Sequence, residues 1–204
     1  MNRRSLTALA AAIALLALGS AFAYAATSTD QPTNAMTTTM PMGTNSTGMS
    51  MGDGMLPTGP NFDRTFIDNM VPHHQGAVAM ARIELAKGTR APLRTLARSI
   101  IASQTGEISL MTTWRQRWYG SAKTPTAMSI SMPGMDVAAL RNASDVDRAF
   151  LTQMIPHHQS AVIMATQAKS DAHHPETRAL AARIIKAQQR EIAVMKRWRT
   201  SWYG

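Results

Sequence analysis

The stretch FIDNMVPHHQGAVAMA at residues 66–81 returns 84 positions later as FLTQMIPHHQSAVIMA at residues 150–165. The similarity extends without a gap on both sides, and a second motif, Gln-x-x-Glu-Ile-x-x-Met-x-x-Trp, recurs near the end of each copy. A repeated apolar core requires only apolar residues in register. A repeated His pair behind Met-x-Pro requires a chemical reason, so this motif is the first candidate for function.

Working outward from the motif, each copy has the pattern of a helical hairpin. In residues 61–120 apolar side chains recur every three to four positions, up to a break at Gly88–Pro92 and again beyond it. Residues 145–204 repeat this pattern around a break at Ser170–Pro175, and no alternating strand pattern occurs in the sequence. Two tandem hairpins with apolar stripes predict an all-α fold, most economically a four-helix bundle.

The N-terminus has the pattern of an export signal. Arg3 and Arg4 precede the apolar run Ala8–Leu18, and residues 21–25 offer small-x-small cleavage sites. The run is shorter than the ~20 apolar residues that a bilayer span needs. We therefore expect a signal peptide at residues 1–25 and a periplasmic or secreted protein with no stable membrane insertion after cleavage.

Composition limits the classes of partner. The chain of 204 residues has no Cys, which excludes disulfides and thiolate metal ligands. Its formal net charge is +9, to which Arg3 and Arg4 contribute two charges. A positive charge can favour nucleic acid or an anionic membrane surface, but export argues against nucleic acid. No protein partner is indicated.

Two further segments have no apolar periodicity and are rich in Thr, Ser, Gly, Pro and Met. They are residues 26–60, expected to be disordered, and a Met-rich linker at residues 121–144. They flank the hairpins at residues 61–120 and 145–204. Met has no packing use in a segment without a core, so these thioethers indicate a mobile store of soft ligands. Compositional drift remains the alternative explanation.

Residues that can bind metal lie on the inward faces of the predicted helices. On the first helix of each copy, Met and His share the apolar stripe at spacings of three, four and ten residues. These residues are Met70, His73, His74 and Met80 in the first copy and Met154, His157, His158 and Met164 in the second. On the second helices the apolar face carries Gln104, Glu107, Gln188 and Glu191. Buried polar groups need partners, and the facing His rings are the candidates.

Each of these residues also has a structural explanation. A buried Met is usually core filler, a buried His is usually hydrogen-bonded, and Gln or Glu can pair with Arg or the backbone. Four inward imidazoles in one small core are nevertheless costly without a use. Thioether and imidazole donors together suit Cu(I), and Ag(I) by the same logic, and they suit Zn or Ca poorly.

Both copies resemble the family known as domain of unknown function 305, through Phe-x-x-x-Met-x-Pro-His-His-Gln-x-Ala-x-x-Met-Ala and the later Gln-x-x-Glu-Ile-x-x-Met-x-x-Trp. The resemblance covers nearly all of residues 61–120 and 145–204 and leaves out the Met-rich segments. It implies a ferritin-like four-helix bundle. Some exported members are similar to periplasmic proteins that bind Cu(I) or Ag(I) through Met and His and contribute to copper tolerance. The matching positions are Met70, His73, His74, Met80, Met111, Met154, His157, His158, Met164 and Met195.

Three functions remain open on sequence alone. The first is a non-catalytic exported protein that sequesters Cu(I) or passes it on. The second is a ferritin-like metal-dependent oxidase, although such sites use Glu-x-x-His motifs and none occurs here. The third is a structural or membrane-surface helical module with buried His. The pair His173-His174, which has no counterpart in the first copy, is expected to be solvated, with an accessory Cu(II) site as the alternative.

Overall fold

The computed structural model describes residues 55–124 and 135–204. The predicted signal peptide, nearly all of the Met-rich segment before the first hairpin, and residues 125–134 of the linker lie outside the described residues. The described residues form five helices and no strand, so the predicted all-α fold is confirmed. The helices are α1 (Phe62–Lys87), α2 (Ala91–Tyr119), α3 (Val137–Asn142), α4 (Val146–Asp171) and α5 (Pro175–Tyr203).

Helices α1 and α4 form the centre of the bundle. Helix α1 packs against α2, α4 packs against α5, and α1 also packs against α4. Of the 26 residues of α1, 15 are buried, whereas 7 of the 29 residues of α2 are buried. The repeated His motif therefore lies on the two most deeply buried helices.

The apolar core has two halves. Helices α1 and α4 run antiparallel to each other, and both contribute side chains to each half. Core half one joins the start of α1, residues 62–71, to the end of α4, residues 161–168. Core half two joins residues 77–83 of α1 to residues 150–155 of α4. Both halves also draw side chains from α2 and α5. The four motif His occupy the positions along α1 and α4 between the two halves.

Two buried aspartates join the hairpins at their ends. On α1, Asp63 accepts hydrogen bonds from the backbone N–H groups of His173 (2.7 Å) and His174 (3.2 Å), at the start of α5. On α4, Asp147 does the same for Thr89 (3.1 Å) and Arg90 at the start of α2. Burial alone would raise the pKa of each carboxyl, but these hydrogen bonds lower it below the ordinary value. Each repeat thus caps a helix of the other.

We predict that Asp147→Asn lowers the free energy of unfolding by about 1–2 kcal/mol, because it removes a charged cap. The folded pKa is lowered, so the stabilisation is present above the unfolded value of 3.8 and is lost as the pH falls through the folded pKa. Urea unfolding between pH 7 and pH 2 measures it. The control is Asp136→Asn, which alters an exposed cap of α3. Equal losses from both variants would contradict a special role for Asp147.

A carboxylic acid is buried where α1 ends. Glu84 is fully buried, and this burial, together with the neighbouring Asp147 carboxylate, raises its pKa to about 8. Gly88 makes room for it, since a Cβ there would overlap the Glu84 carboxyl group. The second copy has Ala168 and Ala172 at the equivalent positions. The first copy therefore combines the large side chain of Glu84 with a glycine, whereas the second copy has two Ala side chains.

We predict that this Glu makes stability depend on pH near neutrality. Its folded pKa, about 8, exceeds the ordinary value of 4.5, so the folded state binds more protons between these values. Stability should fall as the pH rises from 5 to 8. Glu84→Gln should flatten that slope, and thermal unfolding of both proteins across this range measures it. The prediction is wrong if the two slopes agree.

Two local features differ from the sequence pattern. Helix α3 lies within the segment that has no periodicity, held by the Asp136 cap on the Ala139 N–H group (2.8 Å) and by the fully buried Leu140. A six-residue helix with one buried anchor is too short to give a periodic signal. Asp145 caps α4 through the Arg148 N–H group, but the equivalent Asn61 makes no side-chain cap on α1. Neither hairpin, nor α3, contains a helix both long and apolar enough to cross a membrane.

Candidate metal centre

Two imidazole rings, one from each repeat, lie against each other where α1 packs on α4. His73 of α1 and His157 of α4 have ring centroids 3.8 Å apart, and the ring planes are tilted by 40°. The two residues are repeat equivalents on antiparallel helices, so a local two-fold axis passes between them. They are 1% and 3% exposed. Burial, and then the neighbouring imidazoles, hold the pKa of each ring well below its ordinary value. Both rings are therefore neutral, and each keeps a lone pair.

The second His of each motif, His74 or His158, is oriented by a carboxylate, and we call it the outer His. The Nε2 atom of His74 lies 2.7 Å from Oε2 of Glu107 on α2, and His158 makes the equivalent contact with Glu191 on α5, also at 2.7 Å. An ionised carboxylate can only accept a hydrogen bond, so Nε2 is the donor, and in the neutral imidazole Nδ1 then carries the lone pair. Both Nδ1 atoms are buried and have no hydrogen-bond partner among the described residues. Metal-binding His residues in proteins usually have this arrangement.

A buried amide lies beside each carboxylate. Gln104 is three residues before Glu107 on the same helix face, and Gln188 has the same relation to Glu191. Both Gln side chains are 3% exposed, and the Oε1 atom of each has no hydrogen-bond donor in the described part of the chain. Unpartnered buried acceptors are uncommon, and a cation held nearby would satisfy them.

The buried Met residues form two sets, and each set takes members from both repeats. Core half one contains Met70 of α1, Met111 of α2 and Met164 of α4. Core half two contains the equivalents Met154 of α4, Met195 of α5 and Met80 of α1. All six are at most 5% exposed. Met80 of the first copy therefore lies in the core half of Met154 and Met195. Likewise, Met164 of the second copy lies in the core half of Met70 and Met111.

Helix geometry groups each set with one outer His. Met70 and His74 are four residues apart on α1, as are Glu107 and Met111 on α2, so each pair shares a face. The contact between His74 and Glu107 brings these two faces together, and Met164 approaches the same core half from α4. The second copy repeats this arrangement around His158.

The structure separates some residues that the sequence pattern places together. Met70 and Met80 lie on one stripe, but ten residues of helix put them roughly 15 Å apart along the axis, in different core halves. The His173 side chain is 60% exposed. The His174 ring stacks on Trp118, with centroids 3.7 Å apart and planes within 2°. This pair therefore lies apart from the motif His.

The four motif residues His73, His74, His157 and His158 form a layer between the two core halves, which we call the His layer. Sequence analysis did not predict one of its contacts, which involves Ser160. Ser160 Oγ donates to the His157 carbonyl (2.8 Å) and lies 2.7 Å from the Nε2 atom of His73. Because the hydroxyl proton is used on the carbonyl, Nε2 of His73 is the donor in the second contact and its Nδ1 atom keeps the lone pair. The sequence signal for this contact is that the second motif has Ser160 where the otherwise similar first motif has Gly76.

The donor set of this layer excludes one class of metal site. Within residues 55–124 and 135–204, no three His, Cys, Asp or Glu side chains come close enough together to hold a metal ion. A centre made of carboxylates and imidazoles alone, as in a di-iron protein, is therefore not formed by these residues. Further ligands for an ion held here would have to be of another type, and the thioethers of the adjacent core select soft ions.

The comparisons with known proteins agree with the repeat. The family model described as "Domain of unknown function (DUF305)" matches residues 12–115 and 63–199. CopM in its Cu(I)-bound form is 44% identical to this chain, with a TM-score of 0.65, and the match covers 70% of this chain and 98% of CopM. CopM co-crystallised with Ag has the same identity and coverage, with a TM-score of 0.64.

A DUF305 fragment from Deinococcus radiodurans is 31% identical, with a TM-score of 0.60, and the match covers 69% of this chain and 95% of the fragment. No curated protein is significantly similar to the chain. The two matched spans of the family model overlap, and together they cover nearly all of both hairpins. The resemblance drawn from the His-His and Gln-x-x-Glu motifs is thereby confirmed, and the chain belongs to the DUF305 family.

Proposed function

We propose that this protein is an exported, non-catalytic metal-binding protein that takes up Cu(I), or Ag(I) in its place. It sequesters the ion or passes it on, and so contributes to copper tolerance. The leader-like residues 1–25 support export. The structures of CopM with Cu(I), Ag and Cu(II) support the choice of ion, and the donor chemistry of this chain supports it independently.

The observation that carries the proposal is the state of His74 and His158. Each ring is fully buried, and its Nε2–H group is held by a carboxylate. The Nδ1 lone pair of each has no partner in the described structure, and three buried thioethers belong to the core half beside it. One borderline donor surrounded by soft donors suits a soft monovalent ion.

On this proposal the bundle holds two composite sites, each with ligands from both repeats. The first site comprises His74, Met70, Met111 and Met164, with Glu107 and Gln104 behind the ligands. The second site comprises His158, Met154, Met195 and Met80, with Glu191 and Gln188 behind them. His73 and His157 lie between the two sites, where they add neutral imidazoles within reach of either.

The other candidate functions are less well supported. An oxidase would need hard donors that the described residues do not bring together. A purely structural module would leave the Nδ1 atoms and two amide oxygens buried without partners, at about 1–3 kcal/mol each. Competition titration with Cu(I) under reducing conditions tests the proposal against the structural module, and oxygen consumption by the Cu(I)-loaded protein tests it against the oxidase.

We predict that two triple Met→Leu variants differ in a way that reveals composite sites. One variant changes Met70, Met111 and Met164, and the other changes Met70, Met111 and Met80. Each substitution nearly conserves volume and should cost under about 1.5 kcal/mol. The first variant should lose the His74 site and keep the His158 site at wild-type affinity, and the second should weaken both sites.

The two variants share two changes and differ only in the third, so each controls for the other. Imidazole NMR resonances of His74 and His158 report the two sites separately during Ag(I) titration, and circular dichroism checks folding. If each repeat held its own site, the variant containing Met80→Leu would be the one that spares the His158 site. If both variants fold and bind as wild type does, these Met residues are core filler.

We predict that Glu107→Gln weakens Cu(I) binding at the first site by about 10–100-fold, the usual effect of removing a carboxylate behind a metal-binding His. Gln can still accept the hydrogen bond, so the fold should be retained while the ring loses basicity. Glu176→Gln, at an exposed position of α5, is the control. An unchanged affinity at the His74 site would show that the carboxylate serves packing alone.

A further inference from the structure

The two copies differ inside the His motif, and the difference leaves one imidazole without partners. In α4, Ser160 Oγ lies 2.7 Å from Nε2 of His73. The repeat-equivalent position in α1 is Gly76, which offers no hydroxyl to His157. Both ring nitrogens of His157 lack a hydrogen-bond partner within the described residues, although the residue is 3% exposed. The His73 carbonyl lies near the ring but outside hydrogen-bonding geometry.

A thioether from the linker occupies the space where that hydroxyl would be. A Cβ atom placed on Gly76 would lie 2.6 Å from Sδ of Met135 and 3.3 Å from Nε2 of His157. The two atoms therefore face the same small space above the α1 backbone. Met135 has no equivalent beside His73, since the linker occurs once in the chain and packs on one side of the α1–α4 pair.

Several contacts hold Met135 in this place. The N–H group of the next residue, Asp136, donates to Oε1 of Gln153 on α4 (2.9 Å). Helix α3 follows directly, packs against both α1 and α4, and buries Leu140 completely. Met135 itself is half-buried and packs against core half two. One side of the Met135 side chain thus contacts the interior of the bundle, and the other side is accessible to solvent.

We propose that Nε2 of His157 and Sδ of Met135 form a third soft-metal site, which takes Cu(I) or Ag(I) at the boundary between the linker and the bundle. It rests on the proposed function for the class of ion, but it includes none of the eight Met and His residues that make up the two composite sites. A soft monovalent ion accepts few ligands, and one thioether with one neutral imidazole is a suitable pair. Packing alone would explain Met135 but not the buried, unpartnered nitrogen that faces it.

Its position makes this site the point of entry. The residues of the two composite sites are buried in the core, whereas Met135 is partly accessible and is the last Met of the Met-rich linker. An ion held by His157 is also next to His73, whose ring is 3.8 Å away at the centre of the His layer. The third site therefore lies between the accessible side of Met135 and the buried ligands.

Two variants test the site by different routes. Met135→Leu removes the sulfur and keeps the volume. Gly76→Ser supplies the missing hydroxyl and displaces the flexible Met135 side chain. Ile163→Leu, at an exposed position of α4 with no metal donor atom, is the matched control. Ag(I) is titrated into the mature protein, the bound ions are counted against a competing chelator, and the Nε2 resonance of His157 is followed by NMR.

We expect Met135→Leu and Gly76→Ser each to bind one ion fewer than wild type and Ile163→Leu, with the Ag(I)-induced shift of the His157 Nε2 resonance lost. An unchanged count and an unchanged shift in Met135→Leu would overturn the third site. If Met135→Leu loses an ion while neither triple Met→Leu variant does, the composite sites fail and the third site stands. No tight binding by wild type would overturn both proposals.

Discussion

The constraint on which this structure depends is the burial of four imidazoles where α1 crosses α4. A buried polar atom without a partner costs about 1–3 kcal/mol, and the fold provides a hydrogen bond for only some of these nitrogens. Glu107, Glu191 and Ser160 hold three rings through Nε2. The remaining nitrogens are buried without partners in the described structure, in a layer between two halves of a core rich in thioethers. The rest of the bundle keeps the four rings buried, and this burial lowers the pKa of His73 and His157 well below the ordinary value.

The antiparallel crossing of α1 and α4 also makes the two repeats interdependent. It places the first turn of each central helix beside the first turn of the other hairpin's second helix, so Asp63 and Asp147 cap across the boundary. It also moves Met80 and Met164 into the core half of the opposite repeat. A single hairpin would have neither its cap nor its third Met. Duplication therefore gives a unit in which each copy completes the other.

The sequence predicted the helices well because their signals are local. A stripe of period 3.6 and the Gly and Pro breaks set the hairpins, and the two motif copies pointed to the His layer. The sequence could not predict that Met80 lies in the core half of Met154 and Met195. That position depends on the register between α1 and α4, which no local pattern specifies. Helix α3 was missed because one buried residue, Leu140, gives no period. The contact from Ser160 to His73 was within reach, because Gly76 is a visible exception in a repeated motif.

Departures from the two-fold pattern occur where the linker meets the bundle. A duplicated hairpin can form symmetric sites from its own residues, but the linker exists once, so any contact it makes must break the symmetry. Helix α3 packs on one side of α1 and α4, and Gly76 is the motif position where the Met135 sulfur approaches the α1 backbone. A Ser there would have completed the symmetry by giving His157 the hydrogen bond that His73 has. Its absence leaves a neutral imidazole facing a thioether, which is a combination that suits a soft ion.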